Sequence, residues 1–362
     1  MKDRSGTISK PSERSNVLVR RARVEDKPHI RAFTENTFAW GDYVADAFSD
    51  WLDGGNDVYV AEVSGIPVGV TCVAYPAEGE AWFQGIRVKS ELRRMGIASM
   101  LTRASIAGAR KRGARVCRAN IDYDNYGSQG LAQTMGFRQV VRIAELTVPL
   151  AGYTRLSGDA PLLGDTSVPR KALVSRDAPV SRNADTYSTI RVTRVTPEEA
   201  GLLFEAASRE IRYLGCEYVW VSLTRQNLAR AAAEEWLLAA KDECGKMLAG
   251  ALMSSPYVED HVHTGSEDSG GQQAAEEGEP KYLCAGLGSI FGATEGVLAI
   301  IRHALELLRA EATKKNITPG ELFVSVEAES PAAGGIPSCL REAGLDFQVH
   351  GETGLWELSL SI

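Results

Sequence analysis

Two arginines, a glycine and an alanine fall within Arg93-Arg94-Met95-Gly96-Ile97-Ala98, where the apolar run AWFQGIRV gives way to helical periodicity. A strand that turns into a helix leaves the N–H groups of the first helical turn without intrahelical acceptors, and the helix dipole favours negative charge there. Glycine and alanine let a guest approach that backbone closely, and guanidinium groups add forked charge. The chemistry this suits is capture of a phosphate or pyrophosphate. The signatures G-x-x-x-x-G-K-[ST] and G-x-G-x-x-G are absent from the turn. The pattern that fits is [RQ]-x-x-G-x-[GA], satisfied by Arg93, Gly96 and Ala98.

The elements that must position this turn are legible on either side of it. LVRRARVED reads as a strand handing over to a helix near Asp26, and YVADAFSDWL places Val44, Phe48, Trp51 and Leu52 at helical spacing. DVYVAEVSGIPVGVTCVAYP reads as a hairpin turning at Ser64-Gly65, and AWFQGIRV as the strand before the turn. A helix follows from Gly96 to Arg112, with Ile97, Leu101 and Ala104 on one face and Gly113 placed to end it. VCRANID is the next strand, and Gly127 to Met135 the next helix.

This order, with the turn after its fourth strand, resembles the GNAT family of N-acetyltransferases, whose coenzyme A pyrophosphate loop has the same pattern. A second family pattern, N-x-x-[AS]-x-x-L-Y-x-x-x-G-F, is met by Asn125, Ser128, Leu131, Gly136 and Phe137, so the resemblance spans about 130 residues. It implies a mixed α/β sheet and acetyl-CoA as donor. It implies direct transfer to a primary amine in one cleft, with no metal. Arg93, Arg94, Met95, Gly96, Ile97, Ala98 and Ser99 would hold the pyrophosphate, with Asn125 and Ser128 beside the coenzyme. Backbone N–H groups around Ile86, Arg87 and Val88 would face the developing oxyanion. The acceptor would meet Trp40, Asp42 and Tyr43 in TENTFAWGDYV, and Gln84 on the fourth strand. Asp42 and Tyr43 read equally well as a helix cap beside a core aromatic.

Two departures bear on catalysis. The family's tyrosine is Ala132 here, so protonation of the departing thiolate is unfilled, falls to Tyr123 or Tyr126, or is left to water. The family's strand glutamate is Gln84, which leaves Glu80 as a base acting through water, or else as a solvated turn residue. A base matters because a lysine-like amine costs about 4 kcal/mol to deprotonate at neutral pH. The basic run RASIAGARKRGARVCR would flank the coenzyme, one or two arginines meeting its 3′-phosphate and the rest solvated.

At 362 residues the chain is long enough for two domains. A net charge of −7 gives no reason to expect nucleic acid, and no apolar run is long enough to span a membrane. Six scattered cysteines without a C-x-x-C pair suit reduced thiols, and a polar start without an apolar core suits a cytoplasmic protein. The expected organisation is a disordered lead over 1–16, a GNAT-like domain over 17–150, a linker over 151–188, and a second GNAT-like domain over 189–362. RVTPEEAGLLF echoes RVEDKPHIRAF, and CLREAGLDFQV echoes LAQTMGFRQV, in the same order, which points to internal duplication. Residues 258–280 form an acidic insertion expected to be mobile, where His261 and His263 are a weak metal pair. Aligning Gly85 with Gly286 sets Gly96 against Gly296, preceded by Thr294-Glu295 in place of the arginines. That half therefore reads as a degenerate copy that lost the coenzyme and could still complete the first half's acceptor cleft. A non-catalytic acetyl-CoA-binding sensor or structural subunit is the alternative for the whole chain. The acceptor's identity and the oligomeric state are not encoded legibly.

Overall fold

The computed structural model describes residues 17–35, 37, 42–150, 166–169, 189–216, 219–234, 236–259 and 281–360. Trp40, the lead, most of the linker and both insertion histidines lie outside them. The first half contains β1 (Val17–Arg21), α1 (Lys27–Thr34), α2 (Val44–Asp53), β2 (Asp57–Val63), β3 (Ile66–Ala77) and β4 (Glu80–Val88). It continues with α3 (Ile97–Lys111), β5 (Val116–Asp122), α4 (Tyr126–Thr134) and β6 (Arg138–Pro149). After β7 (Thr166–Pro169) come β8 (Thr189–Arg194), α5 (Ala200–Ala207), β9 (Tyr213–Cys216), β10 (Val219–Ser222) and α6 (Arg225–Glu234). The chain then runs through β11 (Trp236–Lys241), β12 (Met247–Met253), β13 (Tyr257–Glu259), β14 (Tyr282–Gly292) and α7 (Thr294–Lys315). It closes with β15 (Thr318–Glu327), α8 (Pro331–Glu342) and β16 (Gln348–Ser359).

Local chemistry accounts for these boundaries. Ser64 and Gly65 both take positive φ, 52° and 81°, the primed turn whose twist matches a two-stranded hairpin. Gly113, at φ 80°, follows the end of α3, and the Asn125 side chain caps α4 by accepting from Ser128 N–H at 3.1 Å. Helix α2 buries Val44, Phe48 and Trp51 against Ile30 of α1 and Val58, Val70 and Cys72 of the sheet. Helix α3 lies on the other face, with Ile97 and Leu101 on Ala61 and Val68. Among the described residues no helix is long and apolar enough to cross a membrane.

A single mixed sheet runs through both halves in the order β1-β2-β3-β4-β5-β16-β6-β15-β14-β12-β11-β8-β7, with β13 on β14. The runs β1-β2-β3-β4-β5 and β8-β11-β12-β14-β15 are related by a pseudo-two-fold axis between β6 and β16. In each run one pair is parallel, β4 with β5 and β14 with β15. The expected boundary at residue 150 therefore divides the sequence but not the sheet. The first half's last strand, β6, pairs with β15 of the second half, and the second half's last strand, β16, inserts between β5 and β6.

The registers also correct the expected alignment of the copies. Two steps on β3, Val70 to Cys72, oppose three on β4, Arg87 to Gln84, so β4 bulges at Gly85-Ile86. On β12 and β14 the same irregularity falls between Gly250↔Phe291 and Leu252↔Gly288. The counterpart of Gly85 is thus Ser289, not Gly286, and both take positive φ, 63° and 50°. With this frame Val88 matches Gly292. Eight residues, Lys89 to Gly96, separate β4 from α3, whereas Ala293 alone separates β14 from α7. Sequence comparison missed the deletion because glycines are frequent in both segments.

Candidate active site

The turn between β4 and α3 has a backbone shape that could cradle an anion. Arg94 has φ 64° and Gly96 φ 87°, and Gly96 is the left-handed residue from which α3 starts. The first intrahelical bond runs from Met100 N–H to the Gly96 carbonyl, 3.0 Å, so Ile97, Ala98 and Ser99 have N–H groups with no intrahelical acceptor. A Cβ added at Gly96 would meet nothing within 4 Å, which leaves open space above those donors. Arg93 donates from Nε to the Val88 carbonyl at 3.2 Å, and Arg93, Arg94 and Gly96 are exposed. Ile97 is buried and Met95 packs beside it, fixing the turn to the core.

Beside this cradle the sheet opens. Strands β4 and β5 pair only from Glu80↔Val116 to Trp82↔Arg118, so beyond Trp82 the β5-facing backbone groups of β4 lack ladder partners. The bulge at Gly85 sits in that opening against α2, since a Cβ there would lie 2.3 Å from Trp51 Cη2. Past the bulge, Arg87 donates from Nε to Asp42 Oδ2 at 2.6 Å, and Asp42 Oδ1 accepts from Val44 N–H at 3.0 Å. The helix-cap reading of this loop therefore holds for Asp42, whose buried carboxylate is taken up by Val44 N–H and Arg87. Arg87 lies 5.7 Å from the Tyr43 ring centroid, and Tyr43 meets Trp51 edge-on at 6.1 Å. Burial pushes the Tyr43 phenol above its ordinary range. Gln84 Nε2 donates to Cys72 Sγ, 3.7 Å away, and burial lifts that thiol to about 12, too high for a working nucleophile.

The three residues proposed for proton transfer part company. Glu80 sits at the β4 end remote from the bulge, paired with Arg118 and accepting from Ser222 N–H at 3.1 Å. Its oxygens tie the first half to β10, which corrects its reading as a solvated turn residue and sets it apart from the opening. Tyr123 reaches over β16 to β6, where its hydroxyl accepts from Gln139 Nε2 at 3.0 Å, away from β4. Tyr126 is the first residue of α4 and is 77% exposed. Ala132 is buried in the α3–α4 core. In the basic run, Arg118 is committed to Glu80 and Glu357, and Arg112 to Asp57 and the Gly55 carbonyl.

Two carboxylates that the sequence did not single out lie on one face of the sheet, Asp122 at the end of β5 beside the opening and Glu145 two strands away on β6. Asp122 ends β5 and is exposed at its edge, and its carboxyl is raised by partial desolvation and by Asp124, against the pull of Arg87. Glu145 on β6 accepts from Thr353 Oγ1 at 3.2 Å and from Asn120. Burial and the Asp122 charge push Glu145 up to about 7. Alternation along β5 puts Arg118, Asn120 and Asp122 on one face. The contact with Glu145 depends on β16, more than 200 residues away, so spacing carries no signal for it.

In the second half the equivalent opening is filled by its own chain. The hairpin β9–β10 lies across the β14 bulge: Ser289 Oγ accepts from Gly215 N–H at 2.6 Å and donates to the Gly215 carbonyl at 2.8 Å. A Cβ at Gly288 would lie 2.3 Å from the Gly215 oxygen. Helix α8 closes on the start of α7 through Ala332, Ile336 and Cys339 against Thr294, Val297 and Ile301. Trp220 and Tyr213 of the hairpin also pack on Trp82, Ile143 and Leu355, forming a wall beside the first half's opening.

Residues 26–137 match the acetyltransferase (GNAT) family. No curated protein matches the chain. Among solved structures, a GCN5-related N-acetyltransferase from Sphaerobacter thermophilus aligns with a TM-score of 0.53 and 16% identity, over 95% of each chain. A tandem GNAT protein from the clavulanic acid biosynthesis pathway aligns at 0.52 and 14% identity, over 96% of this chain and 99% of the other. The glucosamine N-acetyltransferase region of a fungal multi-domain GH3 beta-N-acetylglucosaminidase gives 0.56 and 16% identity. The alignment covers 95% of this chain and 38% of the fungal protein. At these identities the likeness is one of fold.

Proposed function

We propose that the first half is an acetyl-CoA-dependent N-acetyltransferase acting on a primary amine, and that the second half is a copy without a coenzyme site. The observation that carries this reading is the turn before α3. Its N–H groups at Ile97, Ala98 and Ser99 are unclaimed within the helix, and the missing Cβ of Gly96 opens onto empty space. Those donors with Arg93 and Arg94 would hold the pyrophosphate, and Asn125 and Ser128 at the start of α4 would flank it. When bound, the coenzyme supplies an acyl thioester for attack by the amine. The chain's part would be to turn β4 backbone N–H groups around Ile86, Arg87 and Val88 toward developing negative charge. Tyr43 and Gln84 would line the acceptor side with Asp42 holding Arg87 behind them, and of the two tyrosines we assign Tyr126 to the departing thiolate because Tyr123 is bonded to Gln139. In the second half, deletion of the turn and closure of α8 onto α7 support loss of the coenzyme.

The test is calorimetric titration with acetyl-CoA and with coenzyme A, counting bound equivalents. One site per chain is expected, abolished by Gly96→Val and unaffected by Glu295→Ala. Two equal sites, or a site that survives Gly96→Val, would overturn the reading. The buried Ala132 favours a second reading, a coenzyme-binding sensor. Binding without thiol release across a panel of amines would select it.

A further inference from the structure

The two halves share more than a fold, because the registers equate specific side chains. Trp82 opposes Arg118 across β4 and β5, and its counterpart Gly286 opposes Phe323 across β14 and β15. Counting on, Asp122 matches Glu327, and each ends its strand four residues before the next helix. The opposite neighbours agree, since Asp122 pairs with Thr353 and Glu327 with Ile143. Both positions are therefore acidic and both point to the face that carries the opening.

What they bind differs. Glu327 accepts from two donors of the hairpin, Arg212 N–H at 2.7 Å and Tyr213 N–H at 2.8 Å, while that hairpin covers the second half's bulge. In the first half Asp122 has no hydrogen-bonded side-chain partner among the described residues, and the charged groups around it are Asp124, Arg87 and Glu145. The second half thus shows what this position accepts: nitrogen donors lying over the sheet. The first half keeps the acceptor and adds Glu145, whose counterpart is Leu355. Beside it, Asn120 leaves Oδ1 buried without a partner.

From this pairing, and resting on the transferase reading above, we infer that Asp122 and Glu145 form the acceptor-amine site. Asp122 holds the ammonium and Glu145 takes its proton. The step balances simply: R–NH3+ and the Glu145 carboxylate become R–NH2 and the Glu145 carboxylic acid, which returns its proton to solvent. The nitrogen keeps the electron pair it needs to attack an acyl carbon. The groups facing Glu145 are Asn120 and Asp122 from β5, Thr353 from β16, and Thr147 on β6 itself, bonded to His350 at 2.9 Å. Arg87 and Asp124 act on it through Asp122. Two coupled carboxylates, Asp122 and Glu145, favour a cationic acceptor carrying a second positive group, such as a diamine.

A carboxyl carbon-13 NMR titration of the full chain tests this, with propane-1,3-diamine as the probe and acetyl-CoA calorimetry run alongside. One glutamate carboxyl should titrate near 7, as burial dictates, and vanish in Glu145→Gln. Its midpoint should fall in Asp122→Asn, which removes a like charge. Saturating diamine should lower it in the wild type and not in Asp122→Asn. A midpoint indifferent to the diamine overturns the assignment, whether or not acetyl-CoA binds. A normal diamine response in a protein that fails to bind acetyl-CoA sinks the transferase reading instead, leaving the pair as an amine site.

Discussion

Glu145 places a cost on the fold that can be measured without a substrate. Its carboxyl titrates at about 7 in the native state, against an ordinary 4.5 that the unfolded chain restores. Between those values the native state binds more protons, so this group's contribution to stability is full below the lower value and is lost as pH rises toward the upper one. The loss amounts to about 3 kcal/mol at most. Urea unfolding at about pH 5 and about pH 8 should show the wild type losing more stability over that interval than Glu145→Gln does, by up to that amount. Equal losses would mean that Glu145 ionises without penalty, and the carboxylate pair would not be coupled as described. Residues of this kind escaped the sequence. Arg93, Gly96 and Ala98 announce themselves because one turn needs all three at fixed spacing. Glu145 becomes chemical only when β16 supplies Thr353 beside it and β5 supplies Asn120.

At the scale of the element, the bulge in β4 positions the site, and a single glycine makes it. Gly85 holds φ 63° where an L-residue loses roughly 1–2 kcal/mol, and its missing Cβ leaves room for Trp51. A methyl there would stand 2.3 Å from the indole, so Gly85→Ala must shift α2 or straighten the bulge. The expected loss is about 3 kcal/mol in chemical denaturation, with a weaker response to the amine probe. Trp51→Leu in the Gly85→Ala background should recover the steric part and not the backbone part, so the two substitutions should be non-additive. Additive losses would show that the indole and the bulge are independent. Most elements here were legible because their signals are local. The Ser64-Gly65 turn, the Gly113 stop and the apolar stripes of α2 and α3 each rest on a few adjacent residues. The alignment of the second bulge was not local. Gly286 and Ser289 lie three residues apart, and only pairing with β12 decides which of them matches Gly85.

At the scale of the whole molecule, exchange of β6 and β16 makes each half dependent on the other. With β16 removed, β5 and β6 both become open edges, and Leu355 and Trp356 leave the cores they share with Ile143 and Ala132. The interlock is reinforced by buried charge, because Arg118 of β5 bridges Glu80 of β4 and Glu357 of β16 and also meets Ser222 of the hairpin. Breaking such a buried pair by removing one partner costs about 3–5 kcal/mol. Residues 17–150 produced alone should therefore fail to show a cooperative thermal transition, despite containing the whole GNAT-matching segment. Joining residues 345–360 to their end through a flexible linker should restore one, by refilling the slot between β5 and β6. A cooperative transition in the unextended half would show that the first copy folds independently and that the exchange is incidental. The same interlock gives the second half, whose β14–α7 turn is a single residue, a structural role in the first. Its last strand completes the first sheet, and its hairpin, anchored on Glu327, sets Trp220 beside the first half's opening and Ser222 on the Glu80–Arg118 pair. On the proposed reading, a copy without coenzyme chemistry would keep this structural role in the other.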